Sequence, residues 1–285
     1  MGRVAGRITA LILVGWLLMG ATHGARALYE ALLVESGIEG VIQQMPEIMA
    51  ESLRRGAMGE TGLALSPETL GLLERAVRRA YSPGATRARL LAYLRNRLPL
   101  QRAREVLAWY RRTSAGKVTD KMARGSGSDE TTADRSGFET GSLEKVSQQR
   151  LSVIRALAVE SGAVERTTEI TLNSQKALAA ATLATLPNVK SGTLPFVLDR
   201  VERYRPRVVR LVERSIEEAM LAAYREISLR ELEAHLQFYR SEPGTLFVRH
   251  SVEGLKDALA DSGRRFGRAL AEIIESSQGG AERRG

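Results

Sequence analysis

Cysteine is absent from the chain, and disulfides, thiolate nucleophiles, thiolate metal sites and lipid attachment at an N-terminal Cys go with it. Aromatic residues make up only 5% of the 285 residues, whereas Ala, Leu, Arg and Glu dominate; strong helix formers are plentiful and strand formers scarce. An all-α fold is therefore expected. Histidine occurs three times, and no H-E-x-x-H, G-x-S-x-G, G-x-x-x-x-G-K or G-x-G-x-x-G pattern is present, so the usual signatures of metalloproteases, hydrolases and nucleotide-binding folds are missing. After residue 19 no apolar run approaches the roughly twenty residues that a membrane-spanning helix needs. The length suffices for one large or two modest domains, each burying its own core.

The first residues read as a leader. Met1 to Arg7 carries Arg3 and Arg7, Ile8 to Met19 is mostly apolar, and the segment ends in Ala25-Arg26-Ala27. Small side chains at Ala25 and Ala27 suit a signal peptidase, which predicts a signal peptide over 1–27 and cleavage before Leu28. An uncleaved anchor is the alternative, and the apolar run is short for it. The mature chain is expected to be soluble, in the periplasm or outside the cell.

The formal charge is +9, and removal of Arg3, Arg7 and Arg26 leaves 39 basic against 33 acidic residues. That excess lies in residues 28–124, with 16 Lys/Arg against 10 Asp/Glu; residues 125–285 hold 23 of each. A weak, salt-sensitive contact with an anionic envelope surface follows as an expectation. Nucleic acid is not expected as a partner, because no compact basic motif interleaved with aromatics is apparent.

Two stretches repeat. Leu33-Val34-Glu35-Ser36-Gly37 is echoed by Ala158-Val159-Glu160-Ser161-Gly162 at an offset of 125, and Leu98 to Arg111 is echoed by Ile227 to Arg240 at 129. The aromatic pairs Trp109-Tyr110 and Phe238-Tyr239 coincide in the second echo, and Gly116 and Gly244 follow them after turns differing by one residue. The predicted architecture is thus two related multi-helix units of helical hairpins, copy one over 28–124 and copy two over 144–275. A flexible polar linker, 125–143, joins them, and a disordered tail, 276–285, ends the chain. Ser66-Pro67-Glu68 and the capping box Ser228-Leu229-Arg230-Glu231 mark helix starts, and Ser82-Pro83-Gly84 and Pro243-Gly244 mark stops. Pro206 to Ile227 has helical periodicity through Val208, Leu211, Ile216, Met220, Leu221 and Tyr224, and reads as the spine of copy two. Thr167 to Leu172 alternates like a strand, but its counterpart Val41 to Leu53 is helical in pattern, so helix is expected there too.

At Ser228-Leu229-Arg230-Glu231-Leu232 and Phe238-Tyr239-Arg240-Ser241-Glu242-Pro243-Gly244 the chain resembles a family of exported bacterial helical proteins catalogued as a domain of unknown function, number two thousand and fifty-nine. The resemblance covers about residues 227–256. In this chain Glu242 intervenes between Ser241 and Pro243, and the first copy lacks the proline altogether. The resemblance implies export and a helical fold; it implies no reaction and assigns no catalytic residue.

The motif has a physical reading of its own. Trp109, Tyr110, Phe238 and Tyr239 pack the last turns of their helices into the core, Pro243 and Gly244 make the reversal, and the next helix folds back. As a ligand clamp instead, Tyr110 and Tyr239 would turn their hydroxyls into a shared cavity. Chemistry elsewhere is thin. His235 and His250 lie fifteen residues apart on successive helices, near Glu231 and Glu233, without metal-ligand spacing. Ser114 to Lys117 and Ser142 to Lys145 match S-x-x-K, and Lys190-Ser191-Gly192 loosely matches a companion motif, but no sheet to carry that chemistry is foreseen. Glu217-Glu218 reads as a solvated face with Arg210 and Arg214 beside it. No cofactor is expected. The leading reading is a non-enzymatic binding or interaction protein of the cell envelope with an unknown envelope protein or ligand as partner. A cell-wall or envelope hydrolase with an unrecognised site, and a carrier of an apolar ligand, remain alternatives.

Overall fold

Serine and proline open helix after helix. In the computed structural model, which describes residues 24–58, 66–115, 147–186 and 192–282, the Ser66 hydroxyl accepts from the Thr69 amide at 3.1 Å and Pro67 takes the first helical position. Ser147 and Ser228 cap in the same way, accepting from the amides of Arg150 and Glu231, each at 3.2 Å. Each hydroxyl satisfies one of the amides that a helix start leaves without a partner.

The helices are, in order, α1 (24–35), α2 (Ile38–Met58), α3 (Pro67–Ala80), α4 (Pro83–Arg97), α5 (Leu100–Arg112), α6 (Gln148–Glu160), α7 (Ala163–Thr185), α8 (Thr193–Arg203), α9 (Arg205–Ala223), α10 (Leu229–Arg240) and α11 (Glu242–Glu282). No strand occurs among the described residues, and the protein is all-α. None of the described helices is long and apolar enough to cross a membrane. Ala25 and Ala27 lie in α1, whereas the n- and h-regions of the leader, Gly116, the linker 125–143 and the second S-x-x-K stretch lie outside the described residues. The backbone of α11 stays helical to Glu282, through the stretch from Ser276 read above as a disordered tail.

The strand-like run Thr167 to Leu172 is helical, inside α7. Thr171 returns its hydroxyl to the Thr167 carbonyl at 2.8 Å, a back-bond that lets a threonine-rich stretch stay helical. The first echo has a common geometry. Gly37 and Gly162 both adopt positive φ, 73° and 72°, where a side chain is strained. Their amides donate to Val34 and Val159 carbonyls at 3.0 and 2.9 Å, and the preceding serines donate to Leu32 and Leu157 carbonyls at 3.1 and 3.0 Å.

Three apolar clusters make the interior. Leu32, Leu33, Ile42, Leu90 and Leu94 gather α1, α2, α4 and α5, and Phe247 from α11 joins them. Ile154, Leu157, Leu172, Val212 and Leu232 gather α6, α7, α9 and α10. Between these, Met45, Met49, Val77, Leu259 and Phe266 bring together α2, α3, α7 and α11. The spine is α11, which packs on α3, α4, α5, α7 and α10. Its Gly254 lets α4 approach so closely that a Cβ there would stand 2.6 Å from Leu90 Cδ1. The segment read as the spine of copy two, Pro206 to Ile227, is helical as far as Ala223, in α9, and packs on α6 and α7. Leu211, expected in the core, is 53% exposed.

Candidate functional site

The last turns of α5 and α10 carry the two aromatic pairs, and the pairs meet each other. Trp109 stacks on Phe238 with ring centroids 3.7 Å apart and planes 5° from parallel. Beside them the Tyr110 and Tyr239 hydroxyls are 3.1 Å apart, buried, one donating to the other. Both contacts join residues 129 positions apart, so each residue of the two aromatic pairs touches its own counterpart in the second echo. Edge-on contacts from Trp109 to Tyr239 at 5.5 Å and from Phe238 to Tyr110 at 6.5 Å complete the set, an arrangement aromatic quadrupoles favour. Burial pushes both tyrosine pKa values above their usual range, and both phenols stay neutral at ordinary pH.

The turns behind the pairs differ in detail. Ser241 donates its hydroxyl to the Phe238 carbonyl at 2.6 Å and Thr245 to the Tyr239 carbonyl at 3.1 Å, whereas Thr113 donates to the Trp109 carbonyl at 3.0 Å. Pro243 and Gly244 do not terminate α10, which ends at Arg240; they form the first turn of α11. Gly244 is needed for space, not for an unusual backbone angle, because a Cβ there would lie 2.1 Å from the Phe238 carbonyl oxygen.

His235 lies behind the stacked rings, 2% exposed, edge-on to Trp109 at 5.4 Å and to Tyr224 at 6.0 Å. Its Nε2 stands 3.5 Å from Ser114 Oγ, which also donates to Glu231 at 3.4 Å. Desolvation lowers the His235 pKa, so the ring is neutral at pH 7. Serine, histidine and carboxylate thus share a neighbourhood, but in an order unlike a hydrolytic triad. A triad carboxylate holds the imidazole through Nδ1–H; here Nδ1 is buried without a partner among the described residues, and Glu231 contacts the serine instead. The sequence named Ser114 and His235 for separate reasons, and only folding brings them together. His250 sits apart from them with Glu253 at 3.4 Å, and no group of three metal-ligating side chains occurs among the described residues.

The paired carboxylates also differ from expectation. Glu217 does not use Arg210 or Arg214; it takes both branches of Arg155 on α6, at 2.8 and 3.2 Å. Arg87 on α4 meets Glu30 on α1 at 3.6 Å, with the charges the other way round. A buried acid that the sequence reading missed is Glu169, 6% exposed, which accepts from Arg205 at 2.6 Å and pairs with Lys256 at 3.4 Å, tying α7 to α9 and α11. No family model, curated protein or solved structure matches the chain.

Proposed function

We propose that this chain is an exported, non-enzymatic binding protein of the cell envelope, a scaffold of two related helical copies that acts through its surface. The observation that carries the reading is the closed aromatic junction. Trp109, Tyr110, Phe238 and Tyr239, the residues with most capacity to clamp a ligand, satisfy one another by stacking and by a hydroxyl-to-hydroxyl bond. What remains for recognition is the outside. The duplication is supported by the matched turns at Gly37 and Gly162, by counterparts that touch, and by the reversed pairs Glu30–Arg87 and Arg155–Glu217 between corresponding helices. Export rests on the leader pattern in residues 1–27, and membership of the exported helical family on residues 227–256.

The contact of Ser114 with His235 favours one second reading, an envelope hydrolase. Ser114 is half-buried at the end of the helical segment, so Ser114→Ala removes the nucleophile with little effect on packing. Photo-cross-linking of the full chain in native envelopes, wild type beside Ser114→Ala, separates the two. A binding protein gives specific adducts in both and an unchanged cellular phenotype; a folded Ser114→Ala chain that loses the phenotype supports the hydrolase, and no specific adduct from either chain rejects the binding reading.

A further inference from the structure

Apolar exposure and unneutralised positive charge coincide on the outer side of α8 and α9. Helix α8 buries none of its residues. Phe196 is 61% exposed, Tyr204 47% and Leu211 53%. Phe196, Arg200, Tyr204, Arg207, Leu211 and Arg214 follow one another in steps of three or four residues, which places them on one helical face. Tyr204, at the join, keeps a right-handed helical backbone with φ −80° and ψ −4°, so that face passes from α8 into α9. Phe196, Arg200 and Tyr204 line one shallow hollow there with Arg203, whose charge is taken by Asp199. Arg200, Arg207 and Arg214 have no carboxylate in ion-pair reach among the described residues. The opposite side of the same segment is inward: Val208 and Val212 are buried and Arg205 turns to Glu169.

We propose that this face docks on an anionic phospholipid bilayer, a partner that rests on the envelope reading above. Arg200, Arg207 and Arg214 meet lipid phosphates, while Phe196 and Leu211 enter the boundary between headgroups and acyl chains. Charge complementarity selects an anionic partner, and the outward Leu211 and Phe196 select a lipid, since a sugar-phosphate backbone gives an aliphatic side chain nowhere to be buried. A single file of alternating cationic and apolar groups also needs no fixed complementary shape, which suits a fluid surface. The location differs from the one the charge count suggested. In residues 28–124, Arg54, Arg78, Arg87, Arg89, Arg102 and Arg111 all have carboxylate partners, and two of these, Asp257 for Arg89 and Glu242 for Arg102, come from outside the stretch and offset part of its excess.

Vesicle flotation of the full chain tests this, with pure phosphatidylcholine against phosphatidylcholine containing about 30% phosphatidylglycerol. The wild type is expected to float with the anionic vesicles only, and to lose at least about tenfold in partitioning when salt rises to about 0.5 M. Arg200→Glu, Arg207→Glu and Arg214→Glu together are expected to remove at least about tenfold of the binding, as is the pair Phe196→Ser and Leu211→Ser. All five positions are exposed, and circular dichroism is expected to match wild type; should the triple variant misfold, Arg207→Glu alone provides the same comparison with a smaller drop. Failure of the wild type to float, or flotation of the folded charge-reversed chain at wild-type level, overturns the proposal. Undiminished binding by Phe196→Ser/Leu211→Ser overturns it too, because the partner is then a polyanion without acyl chains. If envelope cross-links form while anionic vesicles are ignored, the lipid assignment alone falls; if neither occurs, the binding reading falls with it.

Discussion

A Cβ at position 244 would stand 2.1 Å from the Phe238 carbonyl oxygen, and the atoms it meets, in Phe238 and Tyr239, are backbone, which leaves nothing soft to yield. Gly244→Ala is therefore expected to cost about 2 kcal/mol or more in denaturant unfolding, the range for forcing an atom into packed surroundings. Gly267, exposed in the same helix with nothing within 4 Å of its position, is the control: Gly267→Ala is expected to stabilise by about 0.5–1 kcal/mol. The tyrosine pair makes a second prediction. Tyr110→Phe or Tyr239→Phe leaves one buried hydroxyl alone and should cost about 1–2 kcal/mol; the double variant removes both and should cost little more than either single. A double-mutant cycle by equilibrium unfolding checks it, and additive losses would show that the hydroxyls do not depend on one another.

Among the elements, α10 carries the clearest pH response. Burial holds the His235 pKa below its ordinary 6.5, so the unfolded chain binds more protons than the folded one in the window beneath that value. Stability from keeping this ring neutral is complete above about pH 6.5 and drains as pH falls toward the lowered value. Unfolding free energy is expected to decline as pH falls below about 6.5, and His235→Leu to flatten that slope. The carboxylates act lower on the scale. Hydrogen bonds from Tyr93 to Glu253 and from Arg89 to Asp257 hold these acids below their ordinary 4.5 and 3.8, so their stabilisation is lost only as pH falls beneath those values. A slope that survives His235→Leu unchanged would assign the response elsewhere. The helix starts at Ser66 and Ser228 were legible in advance, because each hydroxyl acts on an amide three residues away. The outward turn of Leu211 was not: its spacing fits a buried stripe, and only the packing of α9 against α6 and α7 settles which side of the helix is wet.

Across the whole molecule, the two halves of the chain do not own separate interiors. Phe247 completes the cluster of α1, α2, α4 and α5 from the far end of the chain, and the cluster of α2, α3, α7 and α11 draws on both halves. A fragment ending at residue 124 is therefore expected to lack cooperative unfolding, and addition of a 144–282 fragment to restore it, read by circular dichroism and size-exclusion chromatography. A first fragment that melts cooperatively alone would contradict this sharing of core. The sequence by itself determined the helical class, the capped starts and the glycine turns at Gly37 and Gly162, because each is decided by residues within about one helical turn. Tertiary structure alone decided that Trp109 lies on Phe238, that Tyr110 bonds to Tyr239, that His235 meets no carboxylate at Nδ1 among the described residues and that α11 is the spine. Partners more than a hundred residues apart are chosen by how amphipathic faces pack, and a local pattern holds no record of which face will meet which.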